Sequence, residues 1–165
     1  MNKSGFIFCG YPAIGKSSIS RKSNGYIDLE SSYFHEGNNP DNWHKNYCSV
    51  AENLSMQGYN VFTSSHSSVI KEFIENDIHI VIIAPSISIK DDWISRLKTR
   101  YRLSRLEKDK RAYERALNRF DRDIECLQLL FLQSSSNVCN FIEIQSINYD
   151  LKNILDSYIK GESEK

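Results

Sequence analysis

The sequence lacks three features that would have settled its class at once. It has no long apolar run: the most continuous one lies around Val81 to Ala84, far short of the about 20 residues a bilayer crossing needs. It has no excess of one charge, with 21 Lys and Arg against 21 Asp and Glu, so no net field draws the molecule toward nucleic acid or an anionic membrane. Any anion site must be local. Its four cysteines, at 9, 48, 126 and 139, have neither the CxxC spacing of a zinc site nor the density of a disulfide scaffold. They read as reduced, ordinary residues. Met1-Asn2-Lys3 leads into a strand-like segment with no signal-peptide pattern, so the expected address is the cytoplasm.

What is present suits one core. Of 165 residues 40% are apolar or aromatic, enough for a single sizeable domain over 1–165 and too few for two. Five short apolar or β-branched runs read as strands: Gly5 to Cys9, Tyr26 to Leu29, Tyr59 to Thr63, His79 to Ala84 and Asn140 to Ile144. Helix-length segments separate them, among them Pro40 to Gln57 and Ser67 to Asn76. Parallel neighbours need crossovers of a dozen residues or more, so this alternation predicts an α/β fold with a five-stranded parallel sheet flanked by helices.

Beyond Pro85 the pattern turns helical, over Ile89 to Leu106 and Lys108 to Leu132. Tyr113, Leu117, Phe120, Ile124, Leu127 and Phe131 repeat at spacings of four and three, a stripe expected to face the core. Ser134 to Asn137 reads as a turn, Asp150 to Ile159 as a closing helix, and Gly161 to Lys165 as a frayed polar tail.

The most specific signal is Gly10-Tyr11-Pro12-Ala13-Ile14-Gly15-Lys16-Ser17, followed by Ser18. It matches G-x-x-x-x-G-K-S between a strand and a helix. Glycines let the backbone wrap phosphates closely, with successive N–H groups and a helix N-terminus facing the negative charge. In that reading Lys16 reaches the β- and γ-phosphates of ATP and the Ser17 hydroxyl ligates Mg²⁺. From average residue usage, a chance match in a chain of this length is on the order of 1%.

Taken with Tyr26-Ile27-Asp28-Leu29-Glu30-Ser31-Ser32, Val61-Phe62-Thr63-Ser64-Ser65-His66 and the later Lys90, Arg96 and Arg100, the sequence resembles the small nucleotide kinases of bacteriophages and prophages. These belong to the nucleoside monophosphate kinase-like P-loop kinases. The resemblance covers roughly Gly5 to Ile124, and within it only the phosphate loop is a specific motif. It implies a P-loop NTPase fold, a helical arginine-bearing lid at roughly 88–133, and transfer of the γ-phosphate of ATP to a nucleotide. A host cytoplasm would follow if the chain is phage-encoded.

The residues by themselves are compatible with those roles. Asp28 and Glu30 end the second strand, where ligands of open parallel sheets bind, and a carboxylate there can orient Mg²⁺ waters, hold a hydroxyl or accept its proton. Arg96 and Arg100 are four apart on one helix and can neutralise a transferring phosphoryl group. Lys16, Asp28, Arg96 and Arg100 are therefore the expected catalytic set, and Asp28, Ser32, Phe34, Trp43, His66 and Lys90 the expected substrate contacts. Trp43 and Tyr47 could equally be core rings one helical turn apart. Where many P-loop proteins carry a metal-orienting acid, Thr63 to His66 offers hydroxyls and an imidazole instead. Arg111, Arg115, Arg119 and Arg122 interleave with Glu107, Glu114 and Asp123 at helical spacing and read as a solvated, ion-paired face assigned no site, with membership of the lid as the alternative for one of them.

The expected partner is a nucleotide substrate, with no stable nucleic-acid binding, no membrane, and a monomer or homodimer. A kinase for a polynucleotide end or a modified base in DNA, and a non-catalytic ATP-dependent switch, are the alternatives.

Overall fold

The computed structural model describes residues 3–35, 40–135 and 137–165. Five strands, β1 (Ile7–Gly10), β2 (Tyr26–Asp28), β3 (Asn60–Ser64), β4 (Ile80–Pro85) and β5 (Cys139–Ile144), form one all-parallel sheet in the order β2-β3-β1-β4-β5. Among the described residues seven helices flank it: α1 (Lys16–Lys22), α2 (Ser32–His35), α3 (Trp43–Met56), α4 (Ser67–Glu75), α5 (Lys90–Ser104), α6 (Glu107–Gln133) and α7 (Leu151–Ser163). Turns of 3₁₀ helix at Pro40–Asn42 and Ile87–Ile89 lead into α3 and α5. No helix among the described residues is long and apolar enough to cross a membrane.

The strands form where the apolar runs lie because a parallel sheet is covered on both faces. All six residues of β4 are buried, as a central strand of that kind requires. Phe6 and Phe8 turn toward α7, where both rings pack edge-on against Tyr158. Cys9 and Thr63 meet in the sheet at 3.2 Å, and Cys48 of α3 donates its thiol to the Val69 carbonyl of α4. One continuous set of buried side chains runs from Ile7 to Leu155, and all four cysteines are free.

Strand order positions the site. The connection leaving β1 runs to the β2 edge, whereas that leaving β3 crosses over β1 to β4. With right-handed crossovers the two connections pass on opposite faces, and the loops after β1 and β3 diverge. A crevice opens at such a switch, outside the carboxyl ends of the strands.

Two expectations need correction and one lies outside view. Leu117 does not face the core: it is 50% exposed, and Ala116 takes the inward place together with Phe120, Ile124 and Leu127. The helical period favours Ala116, four residues before Phe120. The tail is not frayed from Gly161, because α7 continues to Ser163, whose hydroxyl accepts from Lys3 Nζ at 2.5 Å and donates to Ile159 O. Of the turn expected at Ser134 to Asn137, Ser136 lies outside the described residues.

The helical region after Pro85 is a hairpin. Arg105, in the left-handed conformation with φ 55°, ends α5, and α6 starts two residues later. A buried carboxylate locks the bend: Asp109 meets Arg100 Nε at 2.9 Å and accepts from Ser104 Oγ at 2.5 Å, while Ser104 Oγ also accepts from Leu106 N.

Candidate functional site

The loop between β1 and α1 is held from outside, by its carbonyls. Trp93 Nε1 donates to Pro12 O at 3.0 Å, Tyr149 Oη donates to Ile14 O at 2.7 Å, and Lys16 Nζ donates to Gly10 O at 2.7 Å. Tyr11 packs between Trp93 and Phe120, and Ile14 is buried, so these two side chains anchor the loop. The Tyr11 N–H bonds to Ile83 O. Ala13 and Gly15 have φ of 69° and 109°, so left-handed residues alternate with the rest, the backbone pattern from which anion-binding concavities are built. The first N–H groups of α1 follow directly and have no partner within the helix.

Gly10 has a steric reason to be glycine. A Cβ there would stand 2.4 Å from Ile14 Cδ1 and 2.9 Å from Lys16 Cδ, inside the turn that brings Lys16 over the loop. Ser17 and Ser18 open α1, with Ser17 exposed. The residues of the loop that could hold a phosphate group are Lys16, as its cation, and Ser17, whose exposed hydroxyl could reach a metal.

Beside the loop lies a cavity of ≈300 Å³ lined by Gly10, Lys16, the segment Ser64 to Ser68, and a wall of α6. Ser64 pairs with Gly10 across the sheet, and its Oγ is buried without a hydrogen-bond partner, an orphan that a ligand or its hydration shell would satisfy. The sequence matches no protein-family model, and no curated protein matches it. The site must therefore speak for itself.

Two carboxylates at the end of β2 are pushed in opposite directions. Burial raises the Asp28 pKa above the ordinary aspartate value, Lys16 opposes that, and neighbouring Glu30 adds to it. At Glu30 burial also acts upward, but Lys108 and Ser32 outweigh it and leave the group below its ordinary value. Lys108 Nζ lies 3.0 Å from Glu30 Oε2, so the start of α6 is tied to the end of β2. Lys16 is lowered by its burial; of the surrounding charges Asp28 acts on it most strongly, with Arg100 next. Asp28 and Arg100 are thus the charges that act most on Lys16, while the direct partner of Arg100 is Asp109.

The other expected residues are distributed differently. Arg96 packs its guanidinium over Trp93 and Tyr149, at 5.4 and 5.3 Å from the ring centroids, which puts it beside the groups that hold the loop's carbonyls. Lys90 pairs with Asp121 at 3.0 Å and does not line the cavity. Ser32 opens the short α2 and supports the charged form of Glu30. Phe34 packs edge-on against Tyr47, whose hydroxyl donates to Leu29 O at 2.6 Å and accepts from Ser64 N at 2.9 Å, clamping the ends of β2 and β3. Trp43 sits with His35 and His66, centroids 4.0 and 5.8 Å away, and His66 lines the cavity. The protein crowding the His66 ring lowers its pKa, and His35, Arg115 and Lys16 lower it further.

The cavity's far wall adds to one reading: the exposed, ion-paired face of α6 forms as expected, and part of it also borders the cavity. Arg115, Arg119 and Arg122, expected to form a solvated face without a site, line it together with Asp123, Cys126 and Leu127. Their spacings of four and three already placed them on one face of α6. The interleaved acids concealed them: Lys110–Glu114 and Arg119–Asp123 do form, at 3.9 and 4.0 Å, but a helix face can carry such pairs and still border a site.

Proposed function

We propose that this chain is an ATP-dependent phosphotransferase that moves the γ-phosphate of Mg-ATP to a nucleotide, in first place a (deoxy)nucleoside monophosphate. The observation that carries the reading is the loop from Gly10 to Ser18, whose carbonyls are held from outside by Trp93 and Tyr149 and whose alternating left-handed residues follow the pattern of an anion-binding concavity. Mg²⁺, held through the Ser17 hydroxyl, would neutralise charge on the donor's phosphates.

The chain's own residues do the rest. Lys16 exchanges the Gly10 carbonyl for phosphate oxygen, a stronger, charge-assisted partner. Asp28, whose raised pKa makes it the more basic of the two strand-end carboxylates, would help hold the metal's hydration shell or take a proton from the acceptor. In the absence of an acid after β3, Asp28 is the carboxylate nearest in influence to Lys16. Arg100 neutralises charge between donor and acceptor, and Arg96 orients the donor from its place on the Trp93 and Tyr149 rings. The α5–α6 hairpin, tied down through Lys108 and Glu30, excludes water as a lid does.

A polynucleotide end is the second acceptor class. It is favoured by the hairpin tip, where Arg102 and Arg105 stand exposed beside Leu103, itself 82% exposed. Transfer of radiolabelled γ-phosphate to a panel of mononucleotides and 5′-hydroxyl oligonucleotides separates the two. Tight ATP binding with no transfer to any acceptor would instead make the chain a nucleotide-dependent switch.

A further inference from the structure

We propose that the α6 wall of the cavity is a second anion site that takes the acceptor's phosphate monoester, and that the carboxylate of Asp123 occupies it in the empty protein. The inference rests on the reading that the loop from Gly10 to Ser18 holds the donor. Arg115 reaches two helical turns along α6 to Asp123 and binds it with two parallel bonds, Nε to Oδ2 at 2.7 Å and Nη2 to Oδ1 at 2.9 Å. Arg119 Nε stands 4.0 Å from the same carboxylate. This fork is the geometry in which a guanidinium takes a phosphate.

The arrangement is unequal. The Asp123 side chain is only 15% exposed, whereas Arg115 and Arg119 are 57% and 49% exposed, so an incoming anion meets the guanidiniums first. Around the cavity four cations, Lys16, Arg115, Arg119 and Arg122, face the single carboxylate of Asp123. One aspartate leaves that field unbalanced. A phosphate dianion carries twice the charge of a carboxylate and offers more acceptor oxygens, so it can displace Asp123 where a singly charged anion competes only evenly. Opposite this wall Ser64 and the first residues of α4, Ser67 and Ser68, complete the lining.

Asp123 is then a specificity-determining residue. It weakens binding of every anion, and it bears hardest on those that cannot outbid it. The loop does the opposite work with no carboxylate of its own. Acceptors that bring a phosphate are selected over nucleosides and over hydroxyl ends without one.

The test is calorimetric titration of inorganic phosphate, and separately of a deoxynucleoside monophosphate, into protein whose loop is filled with Mg·AMPPNP. Asp123→Asn is expected to bind both about tenfold more tightly than wild type, and Arg119→Ala about tenfold more weakly. Unchanged affinities in these folded variants, or weaker binding by Asp123→Asn, would overturn the proposal. Binding of inorganic phosphate alone, with no effect of the variants on the monophosphate, would overturn the acceptor assignment. If Asp123→Asn does not fold, Arg115→Gln serves, and binding as tight as wild type contradicts the inference. Failure of the analogue to bind counts against the donor reading, and the same titrations on Lys16→Ala, where the α6 wall is the remaining anion site, still decide this one.

Discussion

Trp93 donates its indole N–H to the carbonyl oxygen of Pro12 at 3.0 Å, across 81 residues of sequence. A helix that follows the fourth strand therefore fixes the shape of the loop that follows the first. The indole is fully buried and stacks nearly parallel with Tyr149, which holds Ile14 O in the same way. Trp93→Phe keeps most of the ring volume and leaves the Pro12 carbonyl unpaired, at a cost of about 1–3 kcal/mol. The variant is expected to unfold at lower urea and to bind ADP several-fold more weakly. Unaltered ADP affinity in a folded variant would mean that the loop keeps its shape unaided.

Asp28 offers a kinetic test. Its carboxylate is half-buried at the end of β2 and acts on Lys16 more strongly than any other charge. Asp28→Asn preserves shape and removes the charge, so turnover is expected to fall by about 100-fold while the dissociation constant of ATP changes by less than about threefold. Steady-state kinetics beside ATP titration measures both. Equal losses in the two would make Asp28 a binding residue.

The lowered pKa of His66 has a signed consequence for stability. The unfolded chain takes up a proton at the ordinary value of 6.5, and the folded chain only below that, so between the two the unfolded state holds more protons. His66 therefore lowers stability as pH falls through 6.5 toward the folded value, and contributes nothing above. Urea unfolding of wild type and His66→Gln should coincide above about pH 7 and diverge below about 6.5, with the variant less acid-sensitive. Parallel curves across pH 5 to 8 would show that the ring's surroundings do not matter to folding.

The bend between α5 and α6 depends on one carboxylate. Asp109 is 6% exposed in its side chain and bonds both Arg100 and Ser104. Asp109→Ala leaves a part-buried guanidinium and a hydroxyl without their partner, and is expected to cost about 2–3 kcal/mol. Because Arg100 is then free to swing, phosphate transfer should fall more than stability alone accounts for. Chemical denaturation and turnover on the same preparation separate the effects.

The parallel sheet was legible because its signal is dense. Runs such as Ile80 to Ala84 bury every side chain and tolerate no polar residue, so periodicity and composition agree. The loop was legible because side chains crowd the place of a Cβ at Gly10 and a left-handed backbone favours glycine at Gly15. Contacts made across the fold left no such trace. Nothing local to Trp93 or Tyr149 says that they hold the carbonyls of Pro12 and Ile14, and Lys108 meets Glu30 from 78 residues away. The place of the α6 arginines beside the cavity left no trace for a different reason. Their ion pairs at helical spacing suffice to explain a solvated face, and only strand order and helix packing bring that face to the cavity. Leu117 shows the limit of counting spacings: a stripe chosen one residue off center carries an exposed leucine, while Ala116 is buried.

The central claim is that Lys16 and its loop hold the transferred phosphate. The direct measurement is transfer of labelled γ-phosphate from Mg-ATP to a panel of nucleoside and deoxynucleoside monophosphates, by wild type and by Lys16→Ala. Wild type should phosphorylate at least one acceptor, and Lys16→Ala should keep its fold and melting temperature while losing at least about 1,000-fold of that activity. A variant that transfers phosphate at near the wild-type rate would contradict the account.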